Sequence, residues 1–245
     1  MKQNKYNDPK FFSAYEQMPR SVKGLEGAGE WHIVKELMGD LKDKDVLDLG
    51  CGFGWHCRYA REQQARSVIG VDISERMIEK ASEMTNDPSI SYKRVPIEDI
   101  EFSNAQFDIV ISSLAFHYIQ PFQTVCAKVY NYLRSGGSFV FSVEHPIFTS
   151  RNEQDWYYDD QGNRLHWPVD NYQLEGVRET NFLNENVTKY HRTISTYMND
   201  LILSGFTIKA VKESVPSDDM LKDPEMKDET RRPMFLMIAA EKEHS

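Results

Sequence analysis

The chain has 245 residues, 40% apolar and 12% aromatic, enough to bury one α/β core and inconsistent with wholesale disorder. Its 38 acidic against 29 basic residues leave a net charge of −9, which disfavours binding to nucleic acid or an anionic membrane, because neutralising phosphates needs a basic face. Residues 1–10 lack the apolar stretch of a secretory signal, and no run approaches the ~18–20 apolar residues of a membrane span; a cytoplasmic location is expected.

In chain order, residues 6–38 carry aromatics and predict two helices, part of an N-terminal cap over about 1–40. Short β-rich runs follow at 45–50 (DVLDLG), 67–71 (SVIGV), 90–95, 107–112 (FDIVIS) and 138–143 (SFVFSV). Helix-like stretches at 55–63, 75–84 and 122–133 stand between them. This βαβα alternation predicts a parallel sheet with helices on both faces. Ser135-Gly136-Gly137 punctuates the passage from the fourth helix to the fifth strand. Residues 146–187 interrupt the alternation and read as a substrate lid inserted into a single domain spanning 1–245. The spacing then predicts a helix over 188–203, stopped by Ser204-Gly205, and two closing strands at 206–213 and 234–240.

Cys51, Cys57 and Cys126 form neither a disulfide framework nor a zinc spacing and read as packing residues in a reducing compartment. The informative segment is Asp48-Leu49-Gly50-Cys51-Gly52-Phe53-Gly54, where a strand hands over to a helix near Trp55. Glycines there permit unusual backbone angles and let a ligand approach the main chain. Asp72 ends the second strand 22 positions beyond Gly50, where a carboxylate can accept both hydroxyls of a ribose. A nicotinamide dinucleotide would want G-x-G-x-x-G, but Cys57 or Trp55 occupies the third glycine position. Asp48 beside the loop would also repel pyrophosphate and favour a cation. S-adenosylmethionine has no phosphates and carries an ammonium and a sulfonium, so it fits better than NAD.

DVLDLGCGFGWHCRYA followed by VIGVDIS resembles motifs I and II of the class I S-adenosylmethionine-dependent methyltransferases. FDIVISSLAFHYI and LRSGGSFVFSVEHP resemble the family's fourth- and fifth-strand motifs, and EHP with YHRT resembles its small-molecule methyltransferase-domain subgroup. The resemblance implies a Rossmann-like seven-stranded sheet, mostly parallel, with a C-terminal antiparallel hairpin and helices on both faces. It implies methyl transfer from S-adenosylmethionine to a small-molecule acceptor, releasing S-adenosylhomocysteine. By the same resemblance Gly50, Cys51, Gly52 and Gly54 lie along the methionine portion, with Asp48 near its amino group. Asp72 holds the ribose hydroxyls, Ile73 and Met77 pack on ribose or adenine, and Ile97 and Glu98 lie beside adenine. Pro96 stands where many members have an Asp for the adenine amine, leaving the Ile97 N–H to read the ring. Ser113 and Leu114 pass the amino-acid portion through their backbone, and Tyr15 and Arg20 are candidates for its carboxylate.

Methyl transfer is an in-line displacement, so the protein must align the nucleophile and, where needed, take its proton. His117, after the fourth strand, is the first candidate base, against a structural histidine on a short helix. Glu144 and His145 end the fifth strand, where they either face substrate, with His145 a second catalytic candidate, or anchor the lid. Arg192, in the Tyr190-His191-Arg192 opening of the predicted helix, either pairs with a substrate carboxylate or forms a structural ion pair. Trp156, Tyr157, Tyr158, Trp167 and Tyr172 predict an apolar substrate pocket or a homodimer contact. The acidic residues among them argue against a nucleic-acid track, and no converging carboxylates near strand four suggest a metal. The competing function is a cofactor-binding regulatory protein without turnover.

Overall fold

The computed structural model describes residues 2–244. Five strands come first: β1 (Asp45–Leu49), β2 (Ser67–Asp72), β3 (Ile90–Arg94), β4 (Phe107–Ser113) and β5 (Leu133–Glu144). The helices are α1 (Pro9–Glu16), α2 (Pro19–Val22), α3 (Trp31–Met38), α4 (Trp55–Glu62), α5 (Glu75–Glu83), α6 (Phe122–Tyr132), α7 (Pro146–Thr149) and α8 (Ile194–Leu203). Two small hairpins follow β5: β6 (Tyr157–Tyr158) with β7 (Arg164–His166), and β8 (Gly176–Phe182) with β9 (Glu185–His191). The chain closes with β10 (Thr207–Glu213) and β11 (Phe235–Glu241).

The main sheet runs β3-β2-β1-β4-β5-β11-β10. The first five strands are parallel, and β11 runs antiparallel to both β5 and β10. Near-continuous apolar strands such as β1 and β4 are buried because helices cover both faces. On one face, α3 and α4 contribute Trp31, Val34, Met38, Cys57 and Ala60. On the other, α6 and α8 contribute Phe122, Val125, Val129, Tyr197 and Leu201. The strand order reverses between β1 and β4, which opens a crevice beyond their carboxyl ends.

Two expected elements differ. β5 begins at Leu133 rather than 138, because the Gly136 N–H bonds the Lys242 carbonyl (2.7 Å) and the Lys242 N–H bonds the Gly137 carbonyl (2.9 Å). The Ser-Gly-Gly segment is thus tied into the sheet by the end of the chain. The helix expected over 188–203 is a strand followed by a shorter helix. Val187, Lys189 and His191 are buried in alternation along β9, a period of two that belongs to a strand. Thr193 caps α8, its side chain accepting the Thr196 N–H, so the helix starts after YHRT instead of within it. The β8–β9 hairpin therefore extends past the expected boundary at 187.

The N-terminal residues cross the crevice. Asp8 caps α1 through the Lys10 and Phe11 N–H groups. Before it, the Gln3 side chain pairs with the backbone of Thr188, donating to its carbonyl (3.1 Å) and accepting its N–H (2.7 Å). Asn4 reaches the other side, donating to the Ile73 carbonyl at 3.2 Å.

Candidate active site

The carboxyl ends of β1, β2, β4 and β5 open into one cavity of about 1000 Å³, walled by Gly50, Gly52, Asp72, Ser113, Leu114 and Glu144. Gly50 and Gly52 both have positive φ, +78° and +51°. A Cβ on Gly50 would stand 2.6 Å from the Ala115 Cβ, whereas one on Gly52 would meet no atom within 4 Å. The first glycine is required by packing; the second leaves bare backbone facing the cavity. Leu114 also sits at positive φ (+52°), with its N–H bonded to the Ser142 carbonyl at 2.9 Å. That left-handed residue turns the chain along the cavity wall just after β4.

Asp72 projects into this end. One carboxylate oxygen accepts the Gly52 N–H (3.0 Å) and the other the Ser74 N–H (2.8 Å). Burial raises its carboxyl to about 6 against the lowering effect of the Ser74, Gly52 and Ile73 N–H groups. Ile73 and Met77 follow it in the wall, and Pro96, Ile97 and Glu98 face them from beyond β3.

Asp48 lies beneath the loop, fully buried and outside the cavity wall. Its Oδ2 accepts the Cys57 S–H at 3.3 Å, while its Oδ1 has no hydrogen-bond partner. Burial pushes the carboxyl up to about 7; the Cys57 bond opposes the rise and Asp72 adds to it. Two carboxylates under one loop suit a cationic ligand and disfavour pyrophosphate. The raised value has a thermodynamic consequence. The folded state holds a proton on Asp48 that the unfolded state releases near pH 4, so folding loses stability as pH rises from about 4 to about 7. Asp48→Asn removes that penalty. Without cofactor it is expected to be more stable at pH 8 by on the order of 2–4 kcal/mol and indistinguishable near pH 4. Thermal melts across that range check this, and a stability difference independent of pH would contradict it.

Tyr15 and Arg20 also reach the cavity wall. One Arg20 terminal nitrogen donates to both Glu30 oxygens at 2.9 Å, and the Ser113 hydroxyl donates to Glu30 Oε1 at 3.1 Å. Cys51 is outside the cavity wall; its side chain packs in the core beside Gly70 and Cys57, and the residue borders a recess of about 60 Å³ shared with Tyr15 and Arg20.

His117 lies in a 3-10 turn after β4, buried but in the cavity wall. Its Nδ1 accepts the Glu144 N–H at 3.3 Å. A backbone N–H can only donate, so the neutral ring carries its proton on Nε2. Burial lowers its pKa to about 4; Glu144 resists this, and Lys189, Arg192 and Arg20 lower it further. The occupied Nδ1 argues against the expected general base, and the lowered pKa keeps the ring neutral. At neutral pH Nε2 bears the hydrogen and is a donor in character.

His145 is also corrected. It is outside the cavity wall; its Nδ1 caps α7 by accepting the Ile147 N–H (3.1 Å), and its Nε2 faces Glu213 at 2.9 Å. Arg192 plays a structural part, but through backbone carbonyls and not through the expected ion pair. Buried, it donates to the carbonyls of Phe116, Ile119 and Gln120 and holds the turn that carries His117. Trp156, Tyr157, Tyr158, Trp167 and Tyr172 miss the cavity as well. Trp167 stacks on Phe148 (4.8 Å between centroids), Trp156 meets its edge (5.4 Å), and Arg232 lies over Trp167 at 4.3 Å. The two tryptophans form a small core with Phe148, Tyr172 packs against His191 (5.6 Å between centroids), and Tyr157 and Tyr158 are exposed. Phe148 and Phe182 are the aromatics of the insertion that reach the cavity.

Lys189 was not anticipated. It is 1% exposed, lies in the cavity wall, and bonds Glu144 Oε1 (2.6 Å) and Gln154 Oε1 (2.9 Å). Gln154 in turn donates to Glu144 Oε2 at 3.1 Å. Burial alone would raise the Glu144 carboxyl, but Lys189, His117 and Gln154 hold it below its ordinary value. Tyr6 and Tyr118 complete this end, the Tyr6 hydroxyl donating to that of Tyr118 at 3.3 Å. Among the described residues no group of three His, Cys, Asp or Glu could hold a metal ion, and no helix is long and apolar enough to cross a membrane.

Residues 47–141 match the family model described as a methyltransferase domain. An uncharacterised Haemophilus influenzae protein is 34% identical over 97% of this chain and 96% of its own length. A Listeria monocytogenes structure, assigned to the S-adenosylmethionine-dependent methyltransferases, is 52% identical with a TM-score of 0.86, covering 90% of this chain and all of that one. A second such structure, from Mesorhizobium loti, is 41% identical with a TM-score of 0.84, covering 89% of this chain and all of the other. On this likeness, with the glycine loop and sheet described above, the chain belongs to the S-adenosylmethionine-dependent methyltransferases, and S-adenosylmethionine is its cofactor.

Proposed function

We propose that the protein transfers the methyl group of S-adenosylmethionine to a small-molecule acceptor and releases S-adenosylhomocysteine. The observation that carries this reading is the extent of the cavity. At about 1000 Å³ it lies at the top of the usual ~300–1,000 Å³ range for ligand sites, and it continues past the glycine loop to His117, Glu144 and Lys189. One end takes the cofactor and the other remains for an acceptor.

In this reading Gly50 and Gly52 approach the methionine portion, and Asp72 accepts the ribose hydroxyls. Ile73, Met77, Ile97 and Glu98 surround adenine, while Ser113 and Leu114 present backbone to the amino-acid group. Tyr15 and Arg20 close over its carboxylate, with Arg20 held in place by Glu30. The orphaned Asp48 Oδ1 fits a positively charged neighbour above the loop, and Cys51 contributes main chain alone. The cofactor supplies a methyl group already activated by its sulfonium. The chain aligns the acceptor and excludes water, with the latch from Gln3 to Thr188 and from Asn4 to Ile73 as cover and 146–187 as the acceptor-side lid.

Calorimetry with S-adenosylhomocysteine tests the shared premise, and labelled cofactor with a small-molecule cell extract tests turnover. Binding with transfer of label supports the reading. Binding without transfer would instead favour a regulatory protein that keeps the site and lacks the chemistry.

A further inference from the structure

The acceptor end gathers hydrogen-bond donors: His117, Tyr118 and Lys189 all line it. His117 presents Nε2–H, because its Nδ1 is taken by the Glu144 N–H. The Tyr118 hydroxyl accepts from Tyr6 and keeps its own proton to give. Lys189 spends two of its three ammonium protons on Glu144 and Gln154. The carboxylate here, Glu144, has both oxygens engaged, one by Lys189 and one by Gln154. Asp72, Glu98 and Asp99 line the other end, beyond β2 and β3.

A neutral alcohol, phenol or ammonium must lose a proton to accept a methyl group, and the titratable groups here are poorly suited to take one: the His117 Nδ1 lone pair is occupied by the Glu144 N–H, and Glu144 is paired with Lys189 and held below its ordinary value. An ionised carboxylate differs on both counts: it only accepts hydrogen bonds, and it is nucleophilic without deprotonation. Resting on the methyl-transfer reading, we propose that the acceptor is a small carboxylic acid bound as its anion by His117 Nε2–H, the Tyr118 hydroxyl and Lys189, and converted to a methyl ester. A carboxylate oxygen forms the new C–O bond while the S–C bond breaks and its electron pair stays on sulfur. No proton moves. His117 is then a positioning donor in contact with the acceptor rather than a base.

The test uses the full chain, tritiated-methyl S-adenosylmethionine and a small-molecule extract of bacterial cells. Ester methyl groups are released by mild alkali as volatile methanol, whereas N-, C- and ether O-methyl groups are not. Alkali-labile volatile label is expected. Alkali-stable label would overturn the carboxylate while upholding methyl transfer, and absence of transfer by protein that binds S-adenosylhomocysteine would overturn both. A readout independent of turnover is the ¹⁵N spectrum of the histidine rings, with His117 identified by its loss in His117→Gln. A neutral ring protonated at Nε2 from pH 8 down to pH 5 is expected; a proton on Nδ1 would sink the donor assignment. With the labelled acid isolated, His117→Phe is expected to raise its KM about tenfold or more, and His117→Gln, which keeps an N–H donor, to recover part of that loss. Equal KM in both variants would contradict the contact.

Discussion

Glu144→Ala is expected to destabilise the fold by about 3–5 kcal/mol, the typical cost of stranding one partner of a buried ion pair. The reason is Lys189. Its ammonium is 1% exposed, and it donates to Glu144 and to the Gln154 amide oxygen. Removing the carboxylate leaves a buried charge facing one neutral oxygen and the Phe182 ring, 5.4 Å from Nζ. For a chain of this size the melting temperature should fall by roughly 2–4 °C per kcal/mol. Glu144→Gln combined with Lys189→Met removes both charges together and should recover most of the loss, since a buried pair adds little beyond what apolar groups of like volume provide. The pH dependence carries a definite sign. The Glu144 carboxyl is held below its ordinary value in the fold, so its contribution is present above the unfolded carboxylate value and lost as pH falls through the folded one. The gap between wild type and Glu144→Ala should therefore narrow in acid. A single variant that melts with wild type at pH 7 would show that the cavity solvates Lys189.

This pair also marks where sequence reading stops. The glycine loop and Asp72 were legible because their meaning is local: a strand, a left-handed turn and an acidic strand end lie within 25 residues or so of each other and need one another. Glu144 and Lys189 are 45 positions apart, and Lys189 fell in a stretch whose expected helical period would have placed it differently. The alternation of Val187, Lys189 and His191 was the available signal, but a lysine at an inward position reads against a buried strand until its partner is known. His117 was found as a residue and misjudged as a chemical group. Its tautomer is fixed by the Glu144 N–H, and no pattern in LAFHYI records which backbone donor will face the ring. His145 and the tryptophans failed for a related reason. Position after β5 and aromatic content both suit a pocket, but capping α7 and stacking around Arg232 absorb them first.

The second large effect belongs to Asp72. Asp72→Ala is expected to weaken S-adenosylhomocysteine binding by about 1.5–3 kcal/mol, or roughly 10- to 150-fold, the scale of charge-assisted hydrogen bonds to a carboxylate. Two contributions act together. The ribose hydroxyls lose their acceptor, and the Gly52 and Ser74 N–H groups lose the carboxylate that ties the glycine loop to the end of β2. Asp72→Asn separates them, because its amide oxygen keeps one N–H contact but cannot accept on both sides as the ionised group does; an intermediate affinity is expected. Stability should move little at pH 8. Burial raises the Asp72 carboxyl to about 6, so the ionised group costs the ligand-free fold free energy above that value, and removing it offsets part of the lost loop contacts. Calorimetric titration at pH 8 beside a thermal melt reads both quantities. Wild-type affinity in folded Asp72→Ala would remove the ribose from Asp72 and leave that carboxylate with the loop alone.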